Sequence, residues 1–296
     1  MRPTLLSTCI LGALTAAACG GGDDPFAAGD DSPAAADAHL GGPDADPSAP
    51  DAAPARACAT APKRVVVVGD SITACSVIGG PQGANCVSKQ LADYVIAHYA
   101  PGASYENYAV GGAQLADLPG QIASIPAGDG PMLLVAYMGG NDLAPYIFQS
   151  DAAAMAAWDD LSGEMRDTWD GVFATLGSDD RFADGVTVLM NTQYNPFDDC
   201  TAPPYNLSAA KIEILHMFND TLGSIASGAG DRAILVHQFE PFLGHGHHYD
   251  VDTCPHYQAG ATPFMQDTIH ANADGNAQLA AVMEGGADRL YRDCTP

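Results

Sequence analysis

The chain has 296 residues, with 11 Lys and Arg against 36 Asp and Glu, for a formal net charge of −25. Such an acidic protein lacks the basic stripe that phosphate contacts require, which excludes nucleic acid as a partner. Its length admits one or two domains, and no apolar stretch is long enough to span a bilayer.

Residues 1–18 have the pattern of a secretion signal. Arg2 supplies the positive end, Leu5 to Leu14 the short apolar run, and Ala16-Ala17-Ala18 the small residues before a cleavage point. Cys19, followed by Gly20-Gly21-Gly22, resembles the lipidated first mature residue of a bacterial lipoprotein, although Ala16 stands where Leu is commonest. Ordinary cleavage nearby, with Cys19 left free or removed, is the alternative. Residues 19–57 are rich in Ala, Asp, Pro and Gly and carry few large apolar side chains, so a disordered tether is expected there. It would let a membrane-anchored domain, residues 58–296, stand clear of the lipid.

Six cysteines remain in that domain: Cys58, Cys75, Cys86, Cys200, Cys254 and Cys294. An even number in an exported chain suggests disulfides. The expected pairs are Cys75 with Cys86 across a local loop, Cys200 with Cys254 between long loops, and Cys58 with Cys294 at the domain's ends. Zinc is the rival reading, but no close Cys-x-x-Cys spacing supports it.

Five short apolar runs are expected as strands: 64–68, 104–110, 132–137, 185–190 and 233–236. Helices are expected at about 87–99, 115–125, 152–176, 208–225 and 274–290. In the third of these, Trp158, Leu161, Met165, Trp169, Val172, Phe173 and Leu176 recur every three or four residues, a stripe that suits core or lid. The alternation implies one three-layer α/β/α domain with a five-stranded parallel sheet.

Polar residues cluster just past these strands. Arg64-Val65-Val66-Val67-Val68 runs into Gly69-Asp70-Ser71, which puts Ser71 where open α/β sheets hold ligands. Taken alone, the same residues suit a turn with a capping Ser. Asn107 precedes Gly111-Gly112, and the third strand ends in Gly139-Gly140-Asn141-Asp142. Near the end of the chain stands Asp267-Thr268-Ile269-His270. A Ser hydroxyl becomes a good nucleophile when a neutral imidazole accepts its proton, and a carboxylate fixes that imidazole's tautomer. Donors aimed at the developing oxyanion are each worth about 3 kcal/mol; the N–H groups of Ser71 and Gly112 and the Asn141 amide are candidates.

These four blocks, in this order over residues 64–291, resemble the SGNH/GDSL hydrolase family. The resemblance implies a flavodoxin-like fold and a serine ester hydrolase without a cofactor. Ser71 would be the nucleophile, His270 the base and Asp267 its orienting carboxylate, with Ser71, Gly112 and Asn141 as the oxyanion hole. For Asp142 the readings are a second acid or, as favoured, an anchor for its own loop. The chain departs from the family pattern at Ile72, where Leu is usual, and at Ala271-Asn272, where a Pro often stands. The expected partner is a small-molecule or polymeric ester, either a lipid acyl ester or acetylated carbohydrate, acted on by a monomer.

The segment Gly244-His245-Gly246-His247-His248-Tyr249-Asp250 invites a metal reading, yet lacks a helical His-x-x-x-His spacing. A structural loop at the site's rim is favoured, and Asn191 to Phe197 would form a further pocket wall. Two rivals stand beside the serine hydrolase. One is a metal-dependent hydrolase built on His245 to Asp250, and the other a non-catalytic surface protein that binds glycan or lipid.

Overall fold

A computed structural model describes residues 56–295. The expected signal, the lipidated Cys19 and all but the last two residues of the tether lie outside the described residues. Arg56 and Ala57, placed at the end of the tether by composition, join the folded part. Ala57 bridges Thr295, and the Arg56 guanidinium donates to the carbonyl of Ala233.

The four valines form β1 (Arg64–Gly69), buried along its whole length. The other strands are β2 (Ser104–Asn107), β3 (Met132–Tyr137), β4 (Val186–Asn191) and β5 (Ala233–Val236). All four pairings are parallel, in the order β2-β1-β3-β4-β5. Strand β2 is shorter than expected because Asn107 turns the chain, its side-chain oxygen accepting from the Ala109 N–H at 2.9 Å.

Successive strand residues point to opposite faces, and both faces are covered. Val66, Val68, Leu134 and Val188 pack with α2 (Leu118–Ser124), α4 (Asp151–Ser178) and α5 (Ala209–Ala229). Val65, Val67, Leu133 and Leu189 pack with α1 (Val87–His98) and α6 (Ala273–Tyr291). A short α3 (Gly140–Leu143) follows β3. Three helix starts are capped by side chains: Ser150 accepts from Ala153 N–H, Ser208 from Lys211 N–H and Asn272 from Gly275 N–H. The Asn272 cap, two residues after His270, sets the start of α6 at Ala273.

The apolar stripe on α4 is core and not lid. Leu161, Met165, Trp169 and Val172 are buried against the sheet, Trp158 packs on the same cluster, and no α4 residue lines the cavity beside Ser71. Periodicity showed that α4 had an apolar face, and packing shows what the face meets.

The described cysteines form three disulfides, Cys58–Cys294, Cys75–Cys86 and Cys200–Cys254, in the expected pairs. The first closes a separation of 236 residues, for which loop-closure entropy gives a stabilisation of up to about 5 kcal/mol. Among the described residues no helix is long and apolar enough to cross a membrane.

Candidate active site

Sheet order changes direction between β1 and β3, and the site opens past their carboxyl ends. Gly69 ends β1 at φ 147°, where a side chain would collide with the Tyr137 carbonyl and Thr73 Oγ1. Its N–H and carbonyl pair with the side-chain amide of Gln121 at 2.7 and 2.8 Å, which finishes the strand. The Asp70 carboxylate then accepts from Ile72 N–H at 3.0 Å, and this turn presents Ser71. The Cys75–Cys86 disulfide closes the loop that follows.

His270 arrives from the far end of the chain. Its Nε2 lies 2.9 Å from Ser71 Oγ, and its Nδ1 lies 2.9 Å from both Asp267 carboxylate oxygens. Burial pushes Asp267 upward, but N–H donors of Ile269 and His270 and the imidazole itself outweigh it and hold the carboxyl below its ordinary value. An ionised Asp267 takes the Nδ1 proton as a hydrogen bond and leaves the Nε2 lone pair toward Ser71.

Asn141 lines the same cavity as Ser71, and its Nδ2 donates to the Ala113 carbonyl at 2.9 Å, leaving a second hydrogen free. Among the described residues the backbone N–H groups of Ser71 and Gly112 have no protein acceptor. Gly112 lies outside the cavity, on a shallow depression with Gly111 and Ala113. Asp142 accepts from Leu115 N–H at 3.1 Å and so ties its loop to the Gly112 segment.

Asp70 is buried, and burial pushes its carboxyl up from 3.8 to about 7, with the Asp142 charge adding to it and Ile72 N–H and His270 opposing. The folded protein therefore binds this proton more tightly than the unfolded chain, and stability falls as pH rises from about 4 to about 7. Asp70→Asn keeps the oxygen that Ile72 uses and removes the charge. We predict that urea unfolding at pH 5 and pH 8 shows a decline about 3 kcal/mol smaller in Asp70→Asn than in the wild type. Equal declines would contradict this.

The His-rich loop is held by a carboxylate that sequence reading missed. Asp198, 1% exposed, accepts from the N–H groups of Gly244, Gly246 and His248 at 2.8–2.9 Å. A side chain at Gly246 would strike that carboxylate, which explains the glycine. The ring nitrogens are turned to carbonyls: His245 Nδ1 to Thr262, His247 Nε2 to Thr268, and His248 to both Phe197 and Ala202. Among the described residues no three His, Cys, Asp or Glu side chains are grouped to hold a metal ion. The loop instead braces the segment that carries His270. His247 holds the Thr268 carbonyl, and Tyr194 OH donates to the Ile269 carbonyl. A single buried Asp in sequence carries no sign of the three donors it will meet.

The cavity beside Ser71 has three walls. Leu143 and Ile147 follow β3, Tyr194 and Phe197 follow β4, and Leu207 and Leu215 flank the start of α5. The expected wall after β4 is present; the contributions of α5 and of Leu143 and Ile147 were not legible, since their spacing suits a packed core equally well.

Against known proteins, residues 65–283 match the model of the GDSL-like lipase/acylhydrolase family. No curated protein matches the chain. Among solved structures, an extracellular lipase from Streptomyces rimosus is 18% identical with a TM-score of 0.52, over 75% of this chain and 98% of that one. A lipase from a goat rumen metagenome is 13% identical with a TM-score of 0.55, over 78% and 99%. An acetylxylan esterase from Geobacillus stearothermophilus is 16% identical with a TM-score of 0.50, over 78% and 96%. These likenesses establish a shared fold, and the family match covers most of the chain. The protein belongs to the GDSL-like lipase/acylhydrolase family and is a carboxylic ester hydrolase.

Proposed function

We propose that the protein is an exported serine ester hydrolase, anchored by lipid at Cys19, that acts through an acyl-enzyme on Ser71. The observation that carries the reading is the continuous chain of hydrogen bonds from Asp267 through His270 to Ser71 Oγ. In the first half-reaction Ser71 Oγ bonds to the ester carbonyl carbon and its proton passes to His270 Nε2. The oxyanion is met by the Ser71 and Gly112 N–H groups and the Asn141 amide. Collapse breaks the bond to the alcohol oxygen, which leaves with the Nε2 proton. Water then repeats the sequence and frees the acid and Ser71. The disulfides favour an oxidising compartment and thereby support export.

The test is a rapid-mixing assay with a p-nitrophenyl ester, with and without EDTA. A burst of p-nitrophenol equal to the enzyme concentration, unchanged by EDTA, is expected where deacylation is the slower step. Activity abolished by EDTA and restored by metal would overturn the reading.

A further inference from the structure

We infer that the cavity beside Ser71 is an acyl-chain site, and that the substrates are esters of short to medium aliphatic acids and not acetyl groups on carbohydrate. This rests on Ser71 as the nucleophile. The cavity encloses about 100 Å³ and is continuous with Ser71 and Asn141. Leu143, Ile147, Ile212 and Leu215 line it and are only partly buried, so apolar surface faces a space that protein does not fill.

Beyond Asp70, Ser71 and Asn141, the polar side chains on its walls each commit a donor to the protein. Gln193 Nε2 donates to the Met138 carbonyl, Asn195 Nδ2 to Asp199 and Lys211 Nζ to the Ile147 carbonyl, while Tyr194 OH holds Ile269. A sugar ring in this space would lose water around its hydroxyls and find few replacements. An alkyl chain has no hydrogen bonds of its own to lose there. The walls are also braced before any ligand arrives. Lys211 ties α5 to Ile147 at 2.8 Å, and Ser208 ties the start of α5 to Asp151 at 2.7 Å. A preformed site keeps the ordering cost of binding low.

Size sets the chain length. An aliphatic cavity of roughly 150 Å³ holds a six-carbon ring, so this cavity suits about four to six acyl carbons, with longer tails left outside. An acetyl group would leave it largely empty. Each methylene taken from water is worth about a fourfold gain.

The experiment compares kcat/KM for p-nitrophenyl acetate, butyrate, hexanoate and dodecanoate, with a fluorophosphonate counting active Ser71. The expected result is a rise of at least tenfold from acetate to hexanoate, with no further rise to dodecanoate. Leu215→Trp and Ile147→Phe, each narrowing a different wall, should lower the ratio of hexanoate to acetate efficiency by at least about tenfold per active site. A profile that is flat or falls from acetate to hexanoate, with Ser71 still labelled, would overturn the acyl-chain site alone. A wild type that hydrolyses these esters while Ser71 stays unlabelled would instead overturn the nucleophile, and this inference with it. If Leu215→Trp does not fold, the wild-type profile and Ile147→Phe still decide.

Discussion

Ser71→Ala and His270→Ala each lower kcat by about 10⁴- to 10⁶-fold, and the double variant is no slower than the slower single one. The expectation follows from the geometry. Ser71 Oγ and His270 Nε2 share one proton across 2.9 Å, so removing either end removes the same step. Additive losses would mean that the two residues act independently. The residual rate should exceed that in water, because the proposed oxyanion donors, the N–H groups of Ser71 and Gly112 and the Asn141 amide, survive both changes. Steady-state kinetics with p-nitrophenyl butyrate on wild type, both single variants and the double variant is the measurement. Single-variant losses below about tenfold would remove Ser71 and His270 from the chemistry.

Asp198→Ala has the largest expected effect on stability. It removes the acceptor for three buried N–H groups, those of Gly244, Gly246 and His248. Each orphaned donor costs about 1–3 kcal/mol, and partial rehydration through the space left by the carboxylate lowers the sum to about 3–6 kcal/mol. Asp198→Asn keeps one oxygen, and Gly244 and Gly246 share a single Asp198 oxygen, so the Asn variant should recover a large part of the loss. The folded fraction of the Ala variant should also turn over more slowly with little change in KM, because the loop carries His247, which holds the Thr268 carbonyl beside Asp267. Urea unfolding together with kcat per labelled active site measures both effects. A loss under about 1 kcal/mol would show that Asp198 is not what holds the loop.

Much of this architecture was legible in the sequence because buried parallel strands leave a strong trace. Val65 to Val68 and Met132 to Tyr137 are apolar without interruption, as strands covered on both faces must be. Ser71, Asn141, Asp267 and His270, which the fold brings together, were legible because their blocks sit at strand ends or before the last helix; the Gly112 block follows β2 and lies outside the cavity. What the sequence could not express was which way a side chain faces once packed. The Trp158 to Leu176 stripe suited core and lid equally, and only its contact with the sheet decides. His245, His247 and His248 suggested ligands as long as their ring nitrogens had no partners; the carbonyls of Thr262, Thr268, Phe197 and Ala202 lie far away in the chain. Asp198 and the walls of the cavity belong to the same class of long-range fact.

The most direct test of the central claim is peptide mapping after reaction with a fluorophosphonate, run on wild type and on His270→Ala. The nucleophile reading predicts one equivalent of label in the wild type, carried by the peptide that contains Ser71, and slow or negligible labelling in His270→Ala. Label on another residue, or ester hydrolysis that persists with Ser71 unlabelled, would contradict it.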